Sequence, residues 1–335
     1  MSLLFTKKHK QRGVALITVM LIVALCAVIA TQMSARMQMQ VQRSANMTFN
    51  QQAFWYAMAA EELTKRVLIT ALEEDAEVTH LGQIWAKGET TYPVEQGEIT
   101  GEITDLQSCL NLNALRKPPD SSTTASSKEL PARVALETLL INLQMDGVSQ
   151  FEAESMVESL TDWLDENDEL TGSGGAEDND YASREFPYLA ANNFLTSVNE
   201  LRVIANFTPA IINEIAPYVC IIPFSEQHKI NINTIDAQQP ELLQALLDST
   251  AEEAEQVLGA RGEEGFDTID DFYNLPEIIK LKLSDSIKEQ FVVDSEYFTL
   301  KASTSFNNSF FAMKSVMQVT NNKYIDVISR TIGRN

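Results

Sequence analysis

The sequence predicts an α+β protein in which a long N-terminal helix packs on a small antiparallel sheet and a large all-helical domain is inserted into that sheet. Three observations carry this. No Gly or Pro occurs between Gly13 and Gly82, and strong helix formers fill the stretch. Apolar and polar residues alternate at 82–113 and again at 298–333, the period-two pattern of half-buried strands. The stretch between them reads as helices. The expected division is a leader at 1–13, an apolar segment at 14–30 opening a helix over 14–72, an α/β domain from 31–116 with 293–335, and a helical domain at 117–292.

The leader is basic, with Lys7, Lys8, His9, Lys10 and Arg12 running into Gly13. Residues 14–30 follow, with Thr18 the only polar side chain among them. A secretory signal is cut behind small residues after its apolar run. Here no A-x-A site follows Ala30, and the obvious junction lies before the run. A cut between Gly13 and Val14 would keep the apolar segment as the new N-terminus. Residues 1–60 hold no Asp or Glu, so all 47 acidic residues and 19 of the 25 basic ones lie beyond, a net of −28 there. The basic leader suits the cytoplasmic face of a membrane, and the acidic bulk suits a soluble part on the far side. Such charge repels nucleic acid and favours cations and solubility.

Past residue 50 the helix turns amphipathic. Phe54, Ala57, Met58, Leu63, Val67, Leu68 and Leu72 recur near the 3.6 period of one buried face. Val94, Ile99, Ile103 and Leu106, punctuated by Gly88, Gly97 and Gly101, give two or three short strands. Val316, Val319, Ile325, Val327 and Ile328 give the C-terminal strands, with turns at Asn307-Asn308 and Asn321-Asn322.

The middle opens with KPPDSSTTASSKELPA, too polar to bury a core. Helices are expected at 133–144 and 147–168. Two similar segments begin at Ser197 and Thr268, each a capping residue, an apolar pair, a break, a second short helix and a β-like exit. With the residues before it, the second resembles a helix-hairpin-helix or SAM-like unit. Neither copy carries the basic residues that DNA binding needs, which leaves packing units for protein contact.

One stretch carries site chemistry. DWLDENDELTGSGGAEDNDY, residues 162–181, contains eight carboxylates, with Glu185 just beyond. It is either a solvated acidic loop or a shared cation site, since calcium takes six to eight oxygens from short-spaced Asp, Asn and Glu. Asp165, Asn167 and Glu169 alternate as at the start of an EF-hand loop, but no Gly holds the sixth place and no Glu closes a twelve-residue loop. Glu177 and Asp178 would return through the 172–175 turn. Catalytic patterns are poor. His9, His80 and His228 have no partner at metal spacing, and there is no G-x-S-x-G or P-loop. A two-carboxylate glycosidase stays open only because acids abound. Cys26 reads as a small hydrophobe in the apolar run. Cys109 and Cys220 are either two buried thiols or a disulfide in an oxidising compartment.

The leader, the cut before the apolar run and the retained helix resemble those of type IV pilins and pseudopilins. Most members carry glutamate at the fifth residue after the cut, where this chain has Thr18. The K-type minor pseudopilin of type II secretion is the member that lacks it. Cys109-Leu110-Asn111-Leu112-Asn113, the D-W-x-D…G-A-E-D…Y stretch and the two helical segments are similar to that family too. The resemblance implies a pilin-like fold and a role in assembly, not an enzyme. The chain would stand at the pseudopilus tip with I-type and J-type minor pseudopilins, supporting export of folded proteins across the outer membrane. Prepilin peptidase would cut between Gly13 and Val14, with Val14 then N-methylated. The chain would cross the inner membrane of a Gram-negative bacterium once, its bulk periplasmic. The resemblance favours a Cys109–Cys220 disulfide. It also implies structural calcium held by Asp165, Asp168, Glu177 and Asp178, with Asn167 and Glu169 as lesser candidates. The alternatives are a type IV pilus minor pilin and a membrane-anchored periplasmic hydrolase.

Overall fold

The computed structural model describes residues 13–75, 77–116, 130–307, 309–320 and 324–333. The basic leader, most of the polar linker, Asn308 and Asn321-Asn322 lie outside the described residues.

Helix α1 spans Val14–Glu74, 61 residues, or about 90 Å at 1.5 Å per residue. Residues 14–44 are exposed throughout and stand clear of the rest of the chain. The buried stripe begins at Ala53 and runs through Ala57, Ala60, Glu61, Thr64, Leu68, Ala71 and Leu72. Ala57, Leu68 and Leu72 are buried as expected, but the rest of the expected face differs. Leu63 is exposed, and Phe54 and Met58 are only partly covered. The reason is steric. Three alanines on successive turns let the sheet approach the backbone, so close that Thr304 Oγ1 donates to Ala53 O at 2.8 Å.

In chain order the strands are β1 (Thr90–Val94), β2 (Gly97–Asp105), β3 (Leu110–Asn111), β4 (Val219–Cys220), β5 (Ile230–Asn231), β6 (Phe291–Val292), β7 (Tyr297–Phe306), β8 (Ser309–Thr320) and β9 (Tyr324–Ile332). Five of them form one antiparallel sheet in the order β1-β2-β7-β8-β9. One face packs on α1 through Phe298, Leu300, Ala302, Met317 and Val319. Strands β2 and β7 are neighbours, with Asp105 opposite Phe298, although the whole helical domain lies between them in sequence.

The helical domain contains α2 (Pro131–Asn142), α3 (Gln150–Leu164), α4 (Asp178–Ala182), α5 (Pro209–Ile215), α6 (Glu241–Leu247), α7 (Ala251–Ala260), α8 (Ile269–Tyr273), α9 (Pro276–Leu281) and α10 (Asp285–Lys288). They share one apolar core, in which α2, with Leu136 and Leu140, packs against α6, with Leu243 and Leu246. The domain boundary falls earlier than the sequence suggested. Leu110, Leu112 and Leu115 bury in this helical core, not against the sheet.

The domain is built twice. β3 pairs in parallel with β4, and β5 with β6. Each unit opens with apolar-Asn-apolar-Asn: Leu110-Asn111-Leu112-Asn113 and Ile230-Asn231-Ile232-Asn233. In both, the first Asn side chain accepts from the backbone of the second, at 3.2 and 2.9 Å. The second Asn then latches a distant loop through both its atoms. Asn113 accepts from Leu195 N at 2.8 Å and donates to Leu195 O at 3.1 Å. Asn233 does the same to Phe266, at 2.7 and 3.0 Å. Just beyond each latched loop stand Ser197 and Thr268, each capping the next helical turn with a partner acid, Glu200 and Asp271.

A buried polar junction ties the second unit to the sheet. Asp105, at the end of β2, accepts from Thr234 Oγ1 and Ser295 Oγ, both at 2.6 Å, and from Gln107 N at 2.7 Å. Asn231 Nδ2 donates to Ser295 Oγ at 2.8 Å and to Thr79 O at 3.0 Å. Burial outweighs these bonds and raises the Asp105 pKa to about 6. On the first unit, Cys109 and Cys220 are joined by a disulfide. It lies in a small cluster with Leu106, Ile222, Tyr297 and Val316 that closes the outer face of the sheet at one end.

Candidate functional site

The acidic stretch folds as a loop clamped onto α3. That helix starts at a Ser149/Glu152 capping box, and its last turns present Glu158 and Asp162 toward the loop. Glu158 accepts from Gly174 N at 2.6 Å. Asp162 accepts from Thr171 N at 3.0 Å and from Ala176 N at 2.9 Å. Two glycines allow this closeness. Gly172 sits at φ +67, and a Cβ on Gly175 would lie 2.2 Å from the Asp162 carboxylate. Trp163 and Tyr181 meet edge to face at 5.2 Å beneath the loop. Arg116 braces its near side, donating from Nε to Leu164 O at 2.9 Å and pairing with Glu166 and Glu226, while its guanidinium lies 4.4 Å over Phe194.

The clamp commits Glu158 and Asp162 to main-chain amides and leaves Glu177 facing the charges of its acidic neighbours. Asp165 is buried and accepts from Asn167 N at 3.3 Å. Glu177 is buried, and among the described residues neither of its carboxylate oxygens has a hydrogen-bond donor. Burial, then the charges of Asp162, Asp165, Asp168 and Asp178, push its pKa up to about 7. Asp178 accepts from Ala190 N at 3.0 Å. Asp168 accepts from Asn192 Nδ2 at 3.2 Å, and the amide oxygen of Asn192 is buried with no partner among the described residues. Asn167 Oδ1 accepts from Glu169 N at 2.8 Å, and both residues lie on the exposed rim.

These ligand atoms are oxygens, several carry charge, and both Glu177 carboxylate oxygens and the Asn192 amide oxygen are buried without a hydrogen-bond donor among the described residues. That is the chemistry of a hard-cation site. Among the described residues, no three Asp, Glu, His or Cys side chains stand close enough together to hold an ion as they are. The loop would have to draw in to bind one. Asn192 is the member that sequence reasoning missed, because nothing near it in sequence is acidic. The Leu-Asn-Leu-Asn and Ile-Asn-Ile-Asn echo was legible and also passed over.

The family model described as type II secretion system, protein K, first part, matches residues 108–224, and a second protein K model matches 230–294. These segments are the two helical units. The chain belongs to the type II secretion system protein K family. Protein K of Aeromonas hydrophila is 38% identical over 263 residues, covering 77% of this chain and 78% of that one. Protein K of Klebsiella pneumoniae is 34% identical over 327 residues, covering 97% of each. A solved GspK-GspI-GspJ complex from enterotoxigenic Escherichia coli contains a chain matched at TM-score 0.77 and 31% identity, covering 88% of this chain and all of that one. As a protein K, the chain is a pseudopilin of a secretion system. The start of α1 is long and apolar enough to cross a membrane once. Within it, Thr18 donates to Ala15 O at 2.9 Å and sits 3.2 Å from Val14 O, so its hydroxyl is satisfied by the helix and brings no charge into hydrocarbon.

Proposed function

We propose that this protein K is the tip subunit of a periplasmic pseudopilus, anchored in the inner membrane by residues 14–30 and seated beside I-type and J-type minor pseudopilins. The observation that carries the reading is the likeness to a chain solved together with GspI and GspJ, which extends over that whole chain. Its work is assembly in support of protein export, not turnover. Two features suit a terminal position. Thr18 offers no carboxylate to the N-terminal amine of a subunit above it. The helical domain covers one end of the sheet's outer face and would obstruct stacking on that side.

Maturation would cut between Gly13 and Val14 and methylate the new amine. N-terminal sequencing from the membrane fraction tests this, with Val14 as the expected first residue. An uncut Met1, or a cut beyond Ala30, would sink the pseudopilin maturation reading. Co-purification of the full chain with the I-type and J-type proteins in detergent tests the assembly.

In the acidic loop, Asp165, Asp168, Glu177 and Asp178 would hold a structural calcium ion, with the Asn192 amide oxygen added to the set. Calcium would neutralise the mutual repulsion of these carboxylates and fix the loop on α3. Isothermal titration of the full chain with calcium checks it. Glu177→Gln is expected to weaken binding at least tenfold, and unchanged affinity would remove Glu177 from the ligands.

A further inference from the structure

The outer face of the sheet, opposite α1, is only half used. At one end Tyr297 and Val316 bury under the disulfide cluster of the helical domain. Further along the strands the face is open. There the register places Glu102, Lys301 and Lys314 side by side across β2, β7 and β8. The next row out is Thr100, Ser303 and Ala312. Together these rows floor a depression of about 310 Å³, with Glu89 and Gly333 at its rim.

Two directly opposed lysines are an odd choice for a sheet, since like charges in a cross-strand pair are destabilising. The carboxylate beside them, Glu102, pairs with one lysine and not the other. Lys301 Nζ lies 3.4 Å from Glu102, and Lys314 has no carboxylate partner among the described residues. Burial, with the Lys301 charge adding to it, lowers the Lys314 pKa. Lys314 is therefore left without an ion-pair partner, with Glu89 at the rim as the other carboxylate lining the depression, on a chain whose net charge is −22.

We propose that this open half of the sheet is a docking surface for a neighbouring protein subunit, which places a carboxylate between Lys301 and Lys314. The proposal rests on the assembly reading above and names the surface that reading leaves open. Charge selects the occupant. A polyanion such as nucleic acid or an anionic bilayer would be repelled by the acidic bulk around the shelf, whereas one Asp or Glu on a protein loop delivers a local charge. Shape agrees. Thr100, Ser303 and Ala312 are short, so a partner's main chain can approach the strands closely, and the two hydroxyls can hydrogen-bond to it.

The test uses the full chain in detergent and the purified I-type and J-type pair as the probe. Binding of the wild type should weaken as salt rises. Lys301→Glu with Lys314→Glu should lower affinity about tenfold or more, since an opposed charge at an interface costs over 1.4 kcal/mol. Lys301→Arg with Lys314→Arg should stay within a few-fold of the wild type. Lys280→Glu with Lys282→Glu, the same charge change placed on the helical domain, should have little effect. If the sheet reversal destabilises the fold by thermal melting, Lys301→Gln with Lys314→Gln carries the same reading. Wild-type binding that survives the sheet reversal overturns this surface and leaves the assembly reading intact. An equal loss in the helical-domain pair overturns it as well, by assigning the effect to the long-range field. A wild type that does not bind the pair overturns the assembly reading, and the surface with it.

Discussion

Glu61 is a carboxylate buried in the face of α1 that meets the sheet, and it shows how a charge survives there. Burial alone would raise its pKa, but Arg330, at 2.8 and 2.9 Å, and Ser315 Oγ, at 2.6 Å, outweigh burial and lower it. Glu61→Gln keeps the shape and strands Arg330. Breaking a fully buried pair costs 3–5 kcal/mol, and Arg330 is partly exposed, so a loss of about 2 kcal/mol is expected in denaturant melts. A loss near zero would mean that the pair is screened away. Glu177 has the opposite sign. Its folded pKa of about 7 lies above the ordinary 4.5, so the folded chain binds the extra proton and stability falls as pH rises from about 4.5 to 7. Asp162 and Asp105, both raised to about 6 mainly by burial, act in the same direction below that pH. His228, lowered to about 4 by burial, opposes them as pH falls through 6.5. The difference between wild type and Glu177→Gln isolates the glutamate. In chelator, the wild type should lose more melting temperature than the variant between pH 5 and pH 8. With calcium the two pH slopes should converge if the ion binds at Glu177, and calcium that leaves the wild-type slope unchanged argues against that ligand. Sequence located the acids here, because Asp, Asn and Gly at short spacing declare themselves. It could not separate Glu158 and Asp162, held by main-chain amides, from Glu177, because that depends on the path of the 172–175 turn.

At the scale of elements, the two Asn latches do what helix propensity cannot. Helices α8 and α9 are 5 and 6 residues long, far too short to persist alone. Their position depends on the loop that Asn233 holds through both backbone groups of Phe266. Asn233→Ala leaves that buried amide and carbonyl unpaired, which should cost about 2–4 kcal/mol. The same substitution at Asn113 should cost a similar amount through Leu195. Hydrogen exchange at the Phe266 and Leu195 amides is the measurement, and protection unchanged in the variants would deny the latches any holding role. The helices that were legible in sequence were those with an uninterrupted pattern or a capping box: α1, α2, α3, and the turns after Ser197 and Thr268. The face of α1 was read correctly at Ala57, Leu68 and Leu72 and misjudged elsewhere, because hydrophobicity pointed to Leu63 and Met58 whereas close packing selects Ala53 and Ala60. The pairing of β2 with β7 was legible only as a general expectation, since local pattern carries no information about a partner so distant in sequence.

For the molecule as a whole, the Cys109–Cys220 disulfide closes a sequence separation of 111 residues around the first helical unit. In the chain-entropy account, a loop of this size contributes about 4–5 kcal/mol. Cys109→Ser with Cys220→Ser should therefore lower the unfolding free energy by roughly that amount, measured by chemical denaturation of the full chain. A shift below 1 kcal/mol would mean that the helical core already restrains the reduced, unfolded chain. The adjacency of β2 and β7 has a further consequence, in folding kinetics. Topologically, the helical domain is the loop of one β-hairpin. To zip Asp105 against Phe298 from an unfolded chain means closing a loop of about 190 residues, a slow search. Once the helical domain has folded, Asp105, Asn231 and Ser295 hold the two strand ends together, and the remaining closure is that of a short hairpin. The helical domain then acts as the nucleus for the sheet, and the stem helix has a completed surface to dock on only after that domain has formed.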